Sequence, residues 1–220
     1  MTEVVSFSSV DAMDAAFAGN PAELVDAFGT TSPLALHRWS ADADAVDQAL
    51  FVRSCHGTTL DVGCGPGRLT AALSARAVHA MGIDISAEAV RQTRGRGAAA
   101  IRGDVFAHVP GAGTWDHAIL ADGNVGIGGD PARLLGRVSE LIRPDGTILV
   151  ELAGPGTGVV QQLVQVRVGE RLSVPFAWAH LGVDAIADVA AAAGLRVRHI
   201  TSLAGRYAAS LSQGVGSRAH

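Results

Sequence analysis

From Thr58 onward the hydrophobic pattern switches back and forth between two periods. Thr59–Val62 is an apolar run of strand length, and Arg68–Arg76 has the spacing of an amphipathic helix. A strand at Ala77–Ile83, a helix at Ala87–Arg94 with Ser86 as N-cap, and a short strand at Ala98–Arg102 continue the alternation. Trp115–Ala121 predicts a strand, and Ala132–Ile142 a helix with Asp130 as N-cap and Pro131 at its first position. The turn signal Arg143-Pro144-Asp145-Gly146 leads into a strand at Thr147–Leu152. Helices between successive strands predict an α/β fold, a parallel sheet covered on both faces.

Both ends depart from this alternation. Residues 1–55 read as a helical N-terminal extension. One helix is capped by Ser9 or Asp11, a second start lies at Asn20-Pro21, and a third helix begins near Ser40 with Ala45, Val46, Leu50 and Val52 as apolar contacts. Residues 56–220 form the main domain. Within it, near 159–180, period-2 runs on either side of Gly169-Glu170 predict an inserted β-hairpin or extended arm. A helix ending at Gly194 follows, then two strands around Ala204-Gly205 that pair antiparallel as sequence neighbours.

Composition narrows the function classes. The chain has 220 residues, 48% hydrophobic and 17% charged, enough for one sizeable core. The formal net charge is −4 and no basic run appears, which argues against nucleic-acid partners. Every basic residue is arginine, so chemistry that needs a lysine is excluded. No apolar run is long enough to span a membrane, and Met1–Val10 lacks the basic start of a signal peptide. Cys55 and Cys64 have neither disulfide-framework nor zinc spacing. The expectation is a cytoplasmic protein, monomer or homodimer, with no metal.

The chemistry centres on Leu60-Asp-Val-Gly-Cys-Gly-Pro-Gly-Arg68, between the first strand and its helix. Such a turn lets a ligand lie against backbone N–H groups at a helix start. A dinucleotide fingerprint G-x-G-x-x-G requires a third glycine where this chain has Arg68. The pattern present is D-x-G-x-G-x-G, from Asp61 through Gly63, Gly65 and Gly67. Asp84 ends the second strand and Asp104 follows the third. Carboxylates there suit ribose hydroxyls and an exocyclic amine.

Thr58–Leu152, with its LDVGCGPGR, GIDIS, GDVF and LIRPDGTILVE motifs, resembles the class I S-adenosylmethionine-dependent methyltransferases. The resemblance implies a doubly wound, seven-stranded, mostly parallel, Rossmann-like sheet with the last strand antiparallel. It implies S-adenosylmethionine as cofactor, S-adenosylhomocysteine as product and a small-molecule acceptor. Gly63, Cys64, Gly65 and Gly67 would support the methionine and ribose, with Asp61 near the amino group. Asp84 would bind the ribose, Ile85 would pack on the adenine, and Asp104 and Val105 would hold its edge. Ala121 and Asp122 would border the methionine moiety.

For the acceptor side the candidates are Arg38, Trp39, Asn124, Trp178 and His180, with His180 and Asp122 also candidates for a catalytic role. Asp122 and Asn124 supply only the D-x-N piece of a metal motif of two aspartates and an asparagine, and Asn124 equally suits a turn. His117, inside a strand, reads as a hydrogen-bonded core residue. Phe176 and Trp178 share one face, either core or pocket wall. The other readings are a non-catalytic S-adenosylmethionine-binding module and a nicotinamide-dependent oxidoreductase.

Overall fold

The computed structural model describes residues 7–214; Met1–Ser6 and Val215–His220, including most of the segment weighed as a leader, lie outside the described residues. The elements of the main sheet are β3 (Thr58–Val62), β4 (His79–Asp84), β5 (Ala99–Arg102), β6 (Trp115–Leu120), β7 (Ile142–Leu152), β11 (Leu195–Leu203) and β12 (Arg206–Gln213). Their order is β11-β12-β7-β6-β3-β4-β5. The pairings from β7 through β5 are parallel, and only β12 runs against its neighbours. The seven-stranded sheet with an antiparallel last strand is therefore present. β3 and β6 are neighbours although β4 and β5 intervene in sequence, so the strand order reverses between them. That reversal opens a crevice at the carboxyl ends of the strands.

α4 (Arg68–Ser74), α5 (Ala87–Gly95), α6 (Pro131–Leu141) and α7 (Ile186–Ala192) cover the sheet. Asp130 caps α6 by accepting from the Arg133 N–H at 3.0 Å. Leu134, Leu135, Val138 and Leu141 repeat at helical spacing and pack on Leu120, Ile148 and Val150 of the sheet. On the opposite face Leu69 and Leu73 of α4 meet Leu50, Phe51, Ile119 and Leu149. Each such buried side chain contributes about 1.5–3 kcal/mol relative to exposure.

The N-terminal extension is not wholly helical. α1 (Ser9–Phe17), α2 (Leu36–Ser40) and α3 (Ala45–Leu50) are helices, but β1 (Ala22–Val25) and β2 (Thr31–Pro33) form a hairpin where a second helix was expected. The cause is a distant partner. Ala22–Val25 pair antiparallel with Gln165–Val168 of β8 (Val159–Val168), and that ladder overrides local helix preference. β8 pairs in turn with β9 (Arg171–Leu172) and β10 (Phe176–Leu181), so residues 159–181 form strands folded back on themselves. The N-terminal hairpin and the insertion thus make a second sheet, β10-β8-β1-β2.

Two local readings change as well. Arg143–Gly146 is not a turn before β7 but part of it. Trp115 pairs with Ile142, and the register shifts before His117 pairs with Thr147. An irregularity in the ladder absorbs the Pro-Asp-Gly sequence. His117 is buried, and its Nε2 stands 3.2 Å from His56 Nδ1. Burial, with the neighbouring His56, pushes the His117 pKa down to about 4.

Candidate active site

A cavity of about 500 Å³ lies over the carboxyl ends of β3, β4 and β6. Its floor is the set of strand tips, and the second sheet with α1 forms its roof. Floor and roof come together where Ile127 bridges Trp178 and Gln161 Nε2 donates to the Gly129 carbonyl at 2.8 Å. Gly126 permits this approach, since a Cβ there would run into the Ala179 carbonyl. The glycine-rich loop before Asp130 thus lies against the backbone of β10.

Asp61, at the end of β3, is buried and accepts from Thr70 Oγ1 at 2.6 Å. Burial raises its pKa to about 6 against that hydrogen bond, with Asp122 and Asp84 adding like charge. Asp84 ends β4. Its carboxylate accepts from the Gly65 N–H at 2.9 Å and the Ser86 N–H at 2.8 Å, tying the glycine loop to the next strand. Burial raises its pKa as well, opposed by these two bonds. Asp104 is exposed and accepts from the Phe106 N–H at 2.9 Å. Gly63, Cys64, Gly65, Ile85, Val105 and Ala121 also face the cavity.

Gly67 does not line the cavity. It is the N-cap of α4 with φ +86°, and a Cβ there would collide with Thr93 of α5. It serves the packing of α4 against α5, which is why a glycine is needed in that slot.

Asp122 sits at the tip of β6 in the left-handed region, φ 54°. Its N–H donates to Glu151 Oε2 at 2.6 Å, and its carboxylate pairs with Arg68. Arg68 is buried and also pairs with Asp47. Arg206 joins the two ends, with Nη1 2.8 Å from Asp47 Oδ1 and Nε 2.7 Å from Glu151 Oε1. Burial would raise the Glu151 carboxyl, yet Arg206, the Asp122 N–H and Arg38 together hold it below its usual value. Arg38 completes the cluster, its Nη2 3.0 Å from Asp122 Oδ1 and 3.7 Å from Glu151 Oε1. Arg38 is thus behind Asp122 rather than on the cavity wall.

Of the other acceptor-side residues, Trp39, Asn124, Trp178 and His180 line the cavity. Asn124 spends its amide nitrogen on the Val62 and Gly63 carbonyls, at 3.0 and 2.8 Å, so it braces the glycine loop. Trp39 leans on Phe17, and Phe176 stands edge-on to Trp178 with ring centroids 6.4 Å apart. His180 Nε2 lies 3.2 Å from Gln162 Nε2. Among the described residues no cluster of three His, Cys, Asp or Glu side chains is placed to hold a metal ion.

Met13, Phe17, Leu24, Leu34 and Val166 line the roof and were not singled out in the sequence. Neither were Asp47, Glu151 and Arg206 in the ion cluster. The only sequence signal for the latter is Arg68, a charge in a position reserved for glycine in dinucleotide folds.

This arrangement, acidic strand tips beside a glycine loop at a switch point, is the architecture of the class I methyltransferases. A family model described as a methyltransferase domain matches residues 59–146. Among curated proteins no significant match is found. Among solved structures, a SAM-dependent methyltransferase from Bacteroides fragilis in complex with S-adenosyl-L-homocysteine is 20% identical, with a TM-score of 0.80 over 94% of this chain and 97% of that one. The glycopeptide N-methyltransferase MtfA complexed with S-adenosyl-L-methionine is 14% identical, with a TM-score of 0.62 over 79% and 95%. The 1,6-didemethyltoxoflavin-N1-methyltransferase of Burkholderia thailandensis, with bound 1,6-didemethyltoxoflavin and S-adenosylhomocysteine, is 15% identical, with a TM-score of 0.58 over 81% of each chain. These likenesses establish a common fold. No helix among the described residues is long and apolar enough to cross a membrane.

Proposed function

We propose that the protein transfers a methyl group from S-adenosylmethionine to a small-molecule acceptor. The observation that carries this reading is the row of carboxylates, Asp61, Asp84, Asp104 and Asp122, along one side of a roofed cavity. The residues present suit the cofactor. Asp84 stands at the strand tip with lone pairs left over for ribose hydroxyls, and Asp104 is exposed for an adenine amine. At the Asp122 end, Arg68 is buried with Nε unpartnered among the described residues, and Arg38 Nη2 and Asp122 Oδ1 lie 3.0 Å apart without hydrogen-bond geometry. Asp122 lines the cavity, and its Oδ1, buried without a hydrogen-bond donor among the described residues, fits the ammonium of an amino-acid moiety.

The bound cofactor supplies a methyl group on a sulfonium, already activated for transfer. The protein's share is placement. The glycine loop and Asp84 hold the ribose, the Asp122 cluster holds the amino-acid end, and the roof excludes water. None of these roles requires a strong general base. His180, paired with Gln162 on the roof, is positioned to orient an acceptor or receive its proton.

The roof acts on the acceptor rather than on adenosine. Trp178→Ala is therefore expected to lower kcat/KM for a methylated acceptor by tenfold or more. S-adenosylhomocysteine affinity should change by less than about 1 kcal/mol, a few-fold in binding constant. Calorimetry and a methyl-transfer assay on the same preparations check both halves. An equal loss in both would place Trp178 on the cofactor.

A further inference from the structure

Charge is divided unevenly around the cavity. Among the described residues, every formally charged side chain lining it, Asp61, Arg68, Asp84, Asp104 and Asp122, belongs to the floor. The opposite wall is built from Met13, Leu24 and Leu34 of the N-terminal segment and Val166, Phe176 and Trp178 of the insertion. These residues come from opposite ends of the chain, and the β1–β8 ladder brings them together, with Leu24 paired to Val166. Among the described residues the roof lining has one titratable side chain, His180.

We infer that the roofed half of this cavity is an acceptor compartment selective for a neutral small molecule with an apolar, ring-sized body. The inference rests on the methyl-transfer reading and adds the class of acceptor to it. An anionic acceptor finds, among the described lining residues, no cation free of carboxylate partners. Arg68 is already paired with Asp47 and Asp122, Arg38 stands among Asp122, Glu151 and Asp47, and the chain has no lysine. Taking a carboxylate or phosphate out of water there is costly without a partner. A cationic acceptor finds no carboxylate among the described roof residues; the floor carboxylates that would attract it face the bound cofactor, whose sulfonium repels it. A neutral apolar body instead buries against Leu24, Leu34, Val166 and the Phe176–Trp178 pair, gaining area removed from water and edge contacts with the rings.

Two fluorescent probes with the same aromatic body test this: neutral N-phenyl-1-naphthylamine, and 1-anilinonaphthalene-8-sulfonate, which adds one negative charge. With the full-length protein saturated with S-adenosylhomocysteine, the neutral probe is expected to bind at one site, at least about tenfold tighter than the sulfonate, equivalent to about 1.4 kcal/mol. Leu34→Asp and, separately, Met13→Glu should each weaken the neutral probe by about tenfold while the calorimetric affinity for S-adenosylhomocysteine stays within a few-fold. Equal or tighter binding of the sulfonate overturns the inference. So does displacement of the neutral probe by S-adenosylhomocysteine, or binding unaffected by both variants. Failure of S-adenosylhomocysteine to bind is a separate result that removes the methyl-transfer reading. The probes are then compared without it, and the same preference and variant effects still decide the chemistry of the compartment.

Discussion

Replacing Arg68 by methionine is expected to lower the unfolding free energy by about 3–5 kcal/mol, the range for removing one partner of a buried ion pair. Methionine keeps most of the side chain's reach, so the loss is electrostatic. Asp47 is 1% exposed and would keep only Arg206 and the more distant Arg38. Asp122 would keep Arg38 alone, which is 40% exposed and correspondingly weakened by solvent. Because native domains are stable by only about 5–15 kcal/mol, such a loss is a large share of the total. Urea unfolding followed by circular dichroism measures it. A loss below about 1 kcal/mol would mean that Arg206 and Arg38 hold the carboxylates without Arg68, and that the cluster is not one cooperative unit.

Asp84→Ala is the second large effect, and it falls on binding. The side chain stands where it accepts from the Gly65 and Ser86 N–H groups while facing the cavity. On the methyl-transfer reading, removing it deletes the proposed charge-assisted bonds to the ribose, each worth roughly 1.5–3 kcal/mol, and it also releases the glycine loop from β4. Affinity for S-adenosylhomocysteine should fall at least about tenfold, with Asp84→Asn intermediate because it keeps the shape and one acceptor. Unchanged affinity in titration calorimetry would place the ribose elsewhere.

The parts of the molecule legible in its sequence are those written over short stretches. The main-sheet strands, the caps at Ser86 and Asp130, and the antiparallel return at Ala204-Gly205 depend on neighbours within a few residues. The acidic strand tips were legible for the same reason, each following its own apolar run. The roof was not. Ala22–Val25 becomes a strand only because Gln165–Val168 lies beside it, and no local periodicity records a partner so far along the chain. The ion cluster was hidden differently. Asp47 looks like a solvated residue of a polar helix, and Arg206 like a turn charge, until folding buries them around Arg68. Gly67 shows the limit of motif reading. It belongs to the cofactor pattern by spacing, but its position is set by Thr93.

The central claim is that this cavity is a site for S-adenosylmethionine. Titration calorimetry of the unmodified protein with S-adenosylhomocysteine, and in parallel with oxidised and reduced nicotinamide dinucleotides, tests it most directly. The account predicts one saturable site for S-adenosylhomocysteine and far weaker or no binding of the dinucleotides, since Arg68 occupies the place of their third glycine. Saturable binding of a nicotinamide dinucleotide with none of S-adenosylhomocysteine would contradict it.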